Sequence, residues 1–369
     1  MLKLHGNGIG KCKFKMNIAI DISPLKSGHY LQHRIRGTGF YLQNLKTSLE
    51  KYYPENKYIY FNRGDSFGES VDIVHYPYFE PFFLTLPIFS KNKKIVTVHD
   101  LTPLVFSSHF KSGLKGALKW QIQKLALKNA AAIITDSESS KKDIVKYVGI
   151  IPTKIKVVYL AAGEEFRKME NEKLKMEILR KYNLPEKFIL YVGDATWNKN
   201  LPRLIEAVSK TNTPLVMVGK ALIDKDIDTK NPWNKDLVKV QGMAEKNKNI
   251  FRLGFVSSED LSVLYNTATL FIMPSVYEGF GLPVLEAMSC GCPVVTSNKG
   301  SLMEVAEDAV RYIDPYNVGS IAKGISEVFN SSSLQKELSR KGIIQSRKFT
   351  WSQTADETMN VYRSVTALK

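Results

Sequence analysis

The sequence predicts an α/β protein built on two doubly wound parallel sheets, one in each half of the chain. Two series of short, β-branched apolar runs alternate with stretches of helical spacing, the pattern of successive βαβ units. At 369 residues the chain is long enough for two cores of ordinary size.

The first series opens with a strand over residues 15–23, "KMNIAIDIS", followed by "RGTGFYLQNLKTSLEKYY", a glycine turn leading into an amphipathic helix. Strands follow at "YIYF" (58–61), "DIVHYP" (72–77) and "KIVTVHD" (94–100), then a long basic helix over 111–131 and a strand at "AAIITDS" (131–137). The second series runs through "KFILYVGD" (187–194), "PLVMVGK" (214–220), "NIFRLGFV" (249–256) and "LFIMPS" (270–275), and closes at "PVVTS" (293–297). A charged helical stretch over 166–186 joins the two. This divides the chain into an N-terminal domain over 1–180, a C-terminal domain over 181–350 and a last helix over 351–369. Residues 1–15 read as an extension ahead of Met16; "GNGIGK" within it lacks the spacing and the preceding strand of a phosphate-binding loop.

"EGFGLPVLEAMSCGCPVVTS" (278–297) carries the densest chemistry. Pro283 suits a helix's first turn and Gly291 the position just past its end, so residues 283–290 read as a short helix between two buried strands. Gly279 and Gly281 flank Phe280 in the loop that enters it, where bare backbone and free N–H groups approach an anion closely. Glu278 precedes that loop and Glu286 lies about one turn inside the helix, so the two reach different parts of one extended ligand.

Charge is uneven. Residues 1–180 hold 29 Lys+Arg against 16 Asp+Glu, and residues 181–369 hold 23 against 20. An anionic partner of the N-terminal half, a membrane surface or a nucleic acid, is implied. In "KSGLKGALKWQIQKLALKNA", Lys111, Lys115 and Lys119 line one helix stripe, with Leu114, Leu118, Ile122 and Leu125 on another, which suits the anionic face of a bilayer. No apolar run reaches the length of a membrane span, and the N-terminus lacks the apolar core of a signal peptide; a cytoplasmic protein, peripheral on the inner face of the membrane, is expected. Three cysteines give no disulfide framework and no metal site.

The string "PSVYEGFGLPVLEAMSCGCPVVTSNKGSLMEVAEDAV" resembles the donor-binding signature of glycosyltransferase family 4, retaining enzymes of GT-B fold whose two Rossmann-like domains face a central cleft. "AIDISPL", "RGTGFYLQNL", "HYPYF" and "VTVHDLTPL" resemble its mannosyltransferase-type members, as do "LYVGDATWNKNLPRLIEAV" and "LGFVSSEDLSVLYNTATLFIMPS". The resemblance implies transfer of a hexose, mannose from GDP-mannose, to a saccharide or lipid-linked saccharide in surface polysaccharide assembly. It also implies that the last helix crosses back to the N-terminal domain. The nucleotide sugar is a co-substrate, with no further cofactor.

Carried over by residue, Glu286 accepts the ribose hydroxyls. Glu278 holds the hexose, and Gly279 with the N–H groups of Phe280, Gly281 and Leu282 meets sugar and phosphate. Lys199, beyond Gly193, stabilises the departing diphosphate. Asp194 and Asn198 stand where many members carry an arginine, which leaves Arg203 as the second cation. Thr38 and Gly39 match the loop that closes on the donor, His99 lies at the reacting centre with Asp100 on the acceptor side, and Phe255 and Val256 meet the base through backbone. Glu278 is the sole motif acid and is a sugar ligand by this analogy, so front-face attack is expected over double displacement. "DKDID" (224–228) contains D-x-D in a plain polar segment, and no metal is expected. The alternatives are a nucleotide-sugar epimerase of the same fold and a basic nucleic-acid-binding protein, for which the pI of about 9.5 is the only support, since no nucleic-acid recognition motif is present.

Overall fold

The computed structural model describes residues 15–25, 35–65 and 70–367. The extension over 1–14, "GNGIGK" and Cys12 included, lies outside the described residues.

Six strands form the first sheet: β1 (Asn17–Asp21), β2 (Lys57–Phe61), β3 (Ile73–Tyr76), β4 (Lys93–Thr97), β5 (Ala132–Thr135) and β6 (Ile155–Val157), in the order β2-β1-β3-β4-β5-β6. The second holds β7 (Ile189–Val192), β8 (Leu215–Val218), β9 (Ile250–Gly254), β10 (Leu270–Met273), β11 (Val294–Ser297) and β12 (Arg311–Ile313), ordered β12-β11-β10-β7-β8-β9. Neighbouring strands are parallel throughout. Chain order reverses between β1 and β3 in one sheet and between β7 and β10 in the other. Loops leaving the carboxyl ends of strands on either side of such a reversal splay apart and open a crevice.

Two edge strands, β6 and β12, extend the series read from the sequence. Each has three residues and carries an outward basic side chain, Lys156 or Arg311, so neither presents a buried apolar run. The first helix also differs. It spans Ile35–Tyr52, so "RGTG" forms its opening turns instead of a turn ahead of it. Tyr41, Leu42, Leu45 and Leu49, all buried at helical spacing, dock it on the first sheet, and that burial outweighs the ~1 kcal/mol that each glycine costs a helix.

The last helix, Trp351–Ala367, lies against helix Ile35–Tyr52 and along β3, β4 and β5. Polar contacts anchor it: Trp351 Nε1 donates to the Ala162 carbonyl (3.1 Å), Thr354 Oγ1 to the Tyr159 carbonyl (2.7 Å), and Tyr53 OH to Asp356 (2.6 Å). Tyr362 OH meets His75 Nδ1 at 2.7 Å, and His75 Nε2 meets Thr97 Oγ1 at 2.8 Å, so both nitrogens of this fully buried ring are used. Burial, helped by the nearby His99, pushes the His75 pKa down to about 3, and the ring is held neutral.

Candidate functional site at the β7–β10 switch point

Lys199 comes from the loop after β7 and Glu278 from the loop after β10, the two adjacent strands at the reversal. Gly193 follows β7 with φ 150° and donates its N–H to the Val218 carbonyl; beyond it, the short turn Trp197–Lys199 is closed by Asn200 in the left-handed region (φ 60°). The Asn200 amide donates to the carbonyls of Pro274 and Pro315, which ties the turn to the loop after β10. Asn198 adds a second tie, donating to the Tyr277 carbonyl at 3.1 Å. Lys199 Nζ therefore sits 2.8 Å from both carboxylate oxygens of Glu278, with side-chain exposures of only 19% and 10%. Burial works against the ammonium, but the Glu278 carboxylate outweighs it and raises the Lys199 pKa, so the cation is retained in a dry setting.

Behind Glu278, Gly281 (φ 98°) caps the helix Leu282–Ser289, Pro283 lies in its first turn, and Gly291 (φ 70°) follows its end. Phe280 is buried against Tyr159 and Phe349, so that residue offers backbone and not side chain to the loop. Glu286 is buried on this helix and accepts a hydrogen bond from Tyr265 OH at 3.0 Å. Leu282, half-buried, is the helix's first residue.

Opposite stands His99. In the β4–β5 ladder Thr97 pairs with Ile134, so two residues further on His99 falls beside Asp136. His99 Nδ1 lies 2.7 Å from Asp136 Oδ2, and Tyr41 packs edge-on against the imidazole at 4.9 Å. Burial disfavours the imidazolium, yet the Asp136 carboxylate overrides it and raises the His99 pKa. His99 Nε2 and Asp136 Oδ1 are buried without a hydrogen-bond partner among the described residues. Such atoms cost free energy, which a polar group or water reaching them would recover.

The two halves meet at Gly279, whose Cβ, if added, would lie 2.7 Å from Asp100 Cβ and 2.8 Å from the His99 carbonyl. The Gly279 carbonyl accepts hydrogen bonds from Ser137 Oγ (2.6 Å) and Ser140 Oγ (3.3 Å), and Ser140 Oγ also donates to the His99 carbonyl (2.9 Å). Glu304 accepts from the N–H groups of Glu138 and Ser139 at 2.8 Å each, a carboxylate on the N-terminus of a helix in the other half. Tyr277 OH donates to Asp143 across the same seam.

Lys199, Glu278, Gly279, His99 and Asp100 thus converge. Asp100 accepts from the Thr102 N–H (2.7 Å), which fixes its loop. Thr38 lies one turn ahead of Tyr41 on helix Ile35–Tyr52, with Gly39 beside it, so both sit toward the His99 end of that helix. Val256 is buried beyond β9, with Phe255 exposed beside it. Arg203 donates to Oδ1 of Asn200, the residue after Lys199, at 2.8 Å and lies over the Tyr316 ring (5.9 Å). Asp224 and Asp228 accept from backbone N–H groups of their own loop. Sequence reasoning missed Asp136, Ser137, Ser140 and Glu304. A signal existed for the first three: "TDSESS" is a polar run directly after a buried strand, in the position that His99 holds after β4.

Residues 58–162 match the family described as Glycosyltransferase Family 4, and residues 153–345 match Glycosyl transferases group 1. The O-antigen chain mannosyltransferase B of Escherichia coli is 30% identical over 281 residues, which cover 73% of this chain and 70% of that protein. The serotype-specific mannosyltransferase WbdA of Escherichia coli is 31% identical over 277 residues, 71% of this chain but 32% of WbdA, so the chain spans about a third of that relative's length. Among solved structures, sucrose-phosphate synthase of Thermosynechococcus elongatus has a TM-score of 0.74 at 17% identity, covering 96% of this chain and 100% of its own. Anabaena HepE in complex with UDP-glucose has a TM-score of 0.70 at 16% identity, with the same coverage of 96% and 100%.

Proposed function

Because the chain belongs to glycosyltransferase family 4, a GT-B fold member of the group 1 glycosyl transferases, we propose that it moves mannose from GDP-mannose, with retention, to a saccharide or lipid-linked saccharide acceptor in surface polysaccharide assembly. The observation that carries the reading is the buried Lys199–Glu278 pair at the β7–β10 switch point, facing His99 across Gly279. The choice of mannose is supported by the two Escherichia coli mannosyltransferases to which the chain is similar.

In this mechanism the N–H groups of Phe280, Gly281 and Leu282, leading into helix Leu282–Ser289, receive the diphosphate, and Lys199 neutralises the charge that grows on it as the glycosidic bond breaks. Glu278 orients hexose hydroxyls and Glu286 the ribose, two acceptor-only groups suited to diols. His99 Nε2 takes a hydroxyl near the reacting carbon, its ring orientation set by Asp136. With Glu278 paired to Lys199, attack from the face of the leaving group, whose phosphate takes the acceptor's proton, is favoured over a glycosyl-enzyme intermediate. The reaction uses no metal.

The acceptor side faces an anionic membrane. Leu114, Leu118 and Leu125 on helix Gly113–Lys128 are exposed at 92%, 65% and 55%, and Phe89, in the segment packed along that helix, at 89%. Lysines flank this apolar stripe, the composition of an interfacial helix. No helix among the described residues is long and apolar enough to cross a membrane.

Thermal unfolding with GDP, UDP and ADP, in EDTA and in magnesium, tests the proposal on wild type and Glu286→Ala. GDP should stabilise wild type in EDTA, by about 2.7 kcal/mol at a hundredfold excess over Kd. Glu286→Ala should lose that increment. An equal increment in the variant, or none in wild type with any nucleotide, sinks the reading.

A further inference from the structure

A second cleft lies beside the switch-point site, with a volume of ≈ 350 Å³. His109 and Lys111 wall it from the N-terminal half, and Trp197, Trp233, Lys235 and Asp236 from the C-terminal half. We infer that this cleft is a subsite for a saccharide unit of the acceptor, an inference that rests on the transferase reading above.

Its walls are aromatic and held in place. Trp197 stacks face to face with His109, ring centres 3.6 Å apart and 13° from parallel. Trp233 donates Nε1–H to the Lys111 carbonyl at 3.0 Å and meets Phe110 and Phe82 edge to face at 5.3 and 6.2 Å. Neither tryptophan is fully buried and His109 is exposed, so these rings are not spent on a core. A pyranose has an apolar C–H face and a rim of hydroxyls. The exposed His109 ring of the stack and the partly exposed Trp233 are the rings left for the face, while the ammonium groups of Lys111 and Lys235 and the carboxylate of Asp236 supply donors and acceptors for the rim. The volume falls within the range of small-molecule sites, about 300–1,000 Å³.

Position gives the cleft its role. Trp197 is two residues from Lys199, a span of at most about 7 Å. Phe106 packs on Trp197 at 5.1 Å and on Tyr277, the neighbour of Glu278, at 5.7 Å, so one layer of rings separates the cleft from the reacting pair. A saccharide whose terminal hydroxyl reaches the His99–Glu278 gap has its next unit at about this distance. The nucleotide belongs on the other side, where Glu286 and the helix start lie behind Glu278.

The test is ligand-observed NMR titration of the full chain with α-linked mannotriose and with maltotriose, run alongside GDP-induced thermal stabilisation, on wild type, Trp233→Ala and Trp233→Phe. Wild type should bind one of the trisaccharides in the millimolar range or tighter. Trp233→Ala should weaken that binding about tenfold or more, Trp233→Phe should restore most of it, and GDP stabilisation should stay unchanged in both. No trisaccharide binding by wild type, or equal binding by Trp233→Ala, overturns the subsite. Loss of GDP stabilisation in Trp233→Ala with saccharide binding intact overturns it too, since the cleft would then serve the nucleotide. Failure of wild type to respond to any nucleotide strikes the transferase reading itself.

Discussion

Gly279→Ala isolates the contact on which the geometry of the reacting centre depends. The new Cβ would stand 2.7 Å from Asp100 Cβ and 2.8 Å from the His99 carbonyl, where ordinary contacts begin at 3.4 Å. Neither neighbour can rotate away. One is backbone, and the other is fixed to a loop whose carboxylate is held by the Thr102 N–H. The φ of Gly279 is not positive, so alanine brings no strain of its own. The loops bearing His99 and Glu278 must separate by roughly 0.7 Å, and the Ser137 and Ser140 bonds to the Gly279 carbonyl lengthen with them. Overpacking of this kind costs about 1–3 kcal/mol of stability. A misplacement of about 1 Å between reacting groups costs on the order of 100-fold in rate, so the expected loss of turnover is about 10- to 100-fold. Sugar transfer at saturating donor reads the rate, and the GDP-induced thermal shift, measured in parallel, confirms that the nucleotide still binds. Wild-type turnover in a folded Gly279→Ala would refute the claim that this approach sets the distance between His99 and Glu278.

Two further outcomes are expected. His75→Gln should be less stable than wild type at neutral pH, because it loses the bonds to Tyr362 and Thr97. Since the folded pKa, about 3, lies below the unfolded value, wild type loses stability as pH falls through about 6.5, by about 2 kcal/mol near pH 5. The gap between the two in urea unfolding should therefore narrow toward acid, and parallel curves would contradict a neutral, buried ring. Replacing both Leu114 and Leu118 by Asp should abolish co-sedimentation with vesicles rich in anionic lipid and leave GDP stabilisation intact. Unchanged sedimentation would show that the leucine stripe is not the membrane face.

The parts legible in the sequence are those set within a few residues of each other. β3, β5, β7, β8, β10 and β11 each bury every residue, and such runs stand out in any reading. The loop and helix over 278–291 were readable because glycine and proline act on their own backbone, whatever packs around them. Strands β6 and β12 were not, since their order comes from pairing at a sheet edge and not from their own apolar content. Helical spacing in residues 113–128 separated a leucine stripe from a lysine stripe but carried no information on which one meets the sheet. The structure turns Gly116, Gln123, Ala126 and Leu127 inward, where Gln123 satisfies the Thr85 and Leu86 N–H groups, and leaves Leu114, Leu118 and Leu125 outside. Asp136 shows the same limit within the site. Nothing in "TDSESS" names a partner 37 residues away; the pairing of Thr97 with Ile134 does, and register is settled only when both strands have joined the sheet. His99 without that register is one more histidine after a strand, and with it a ring whose orientation and charge are set from the neighbouring loop.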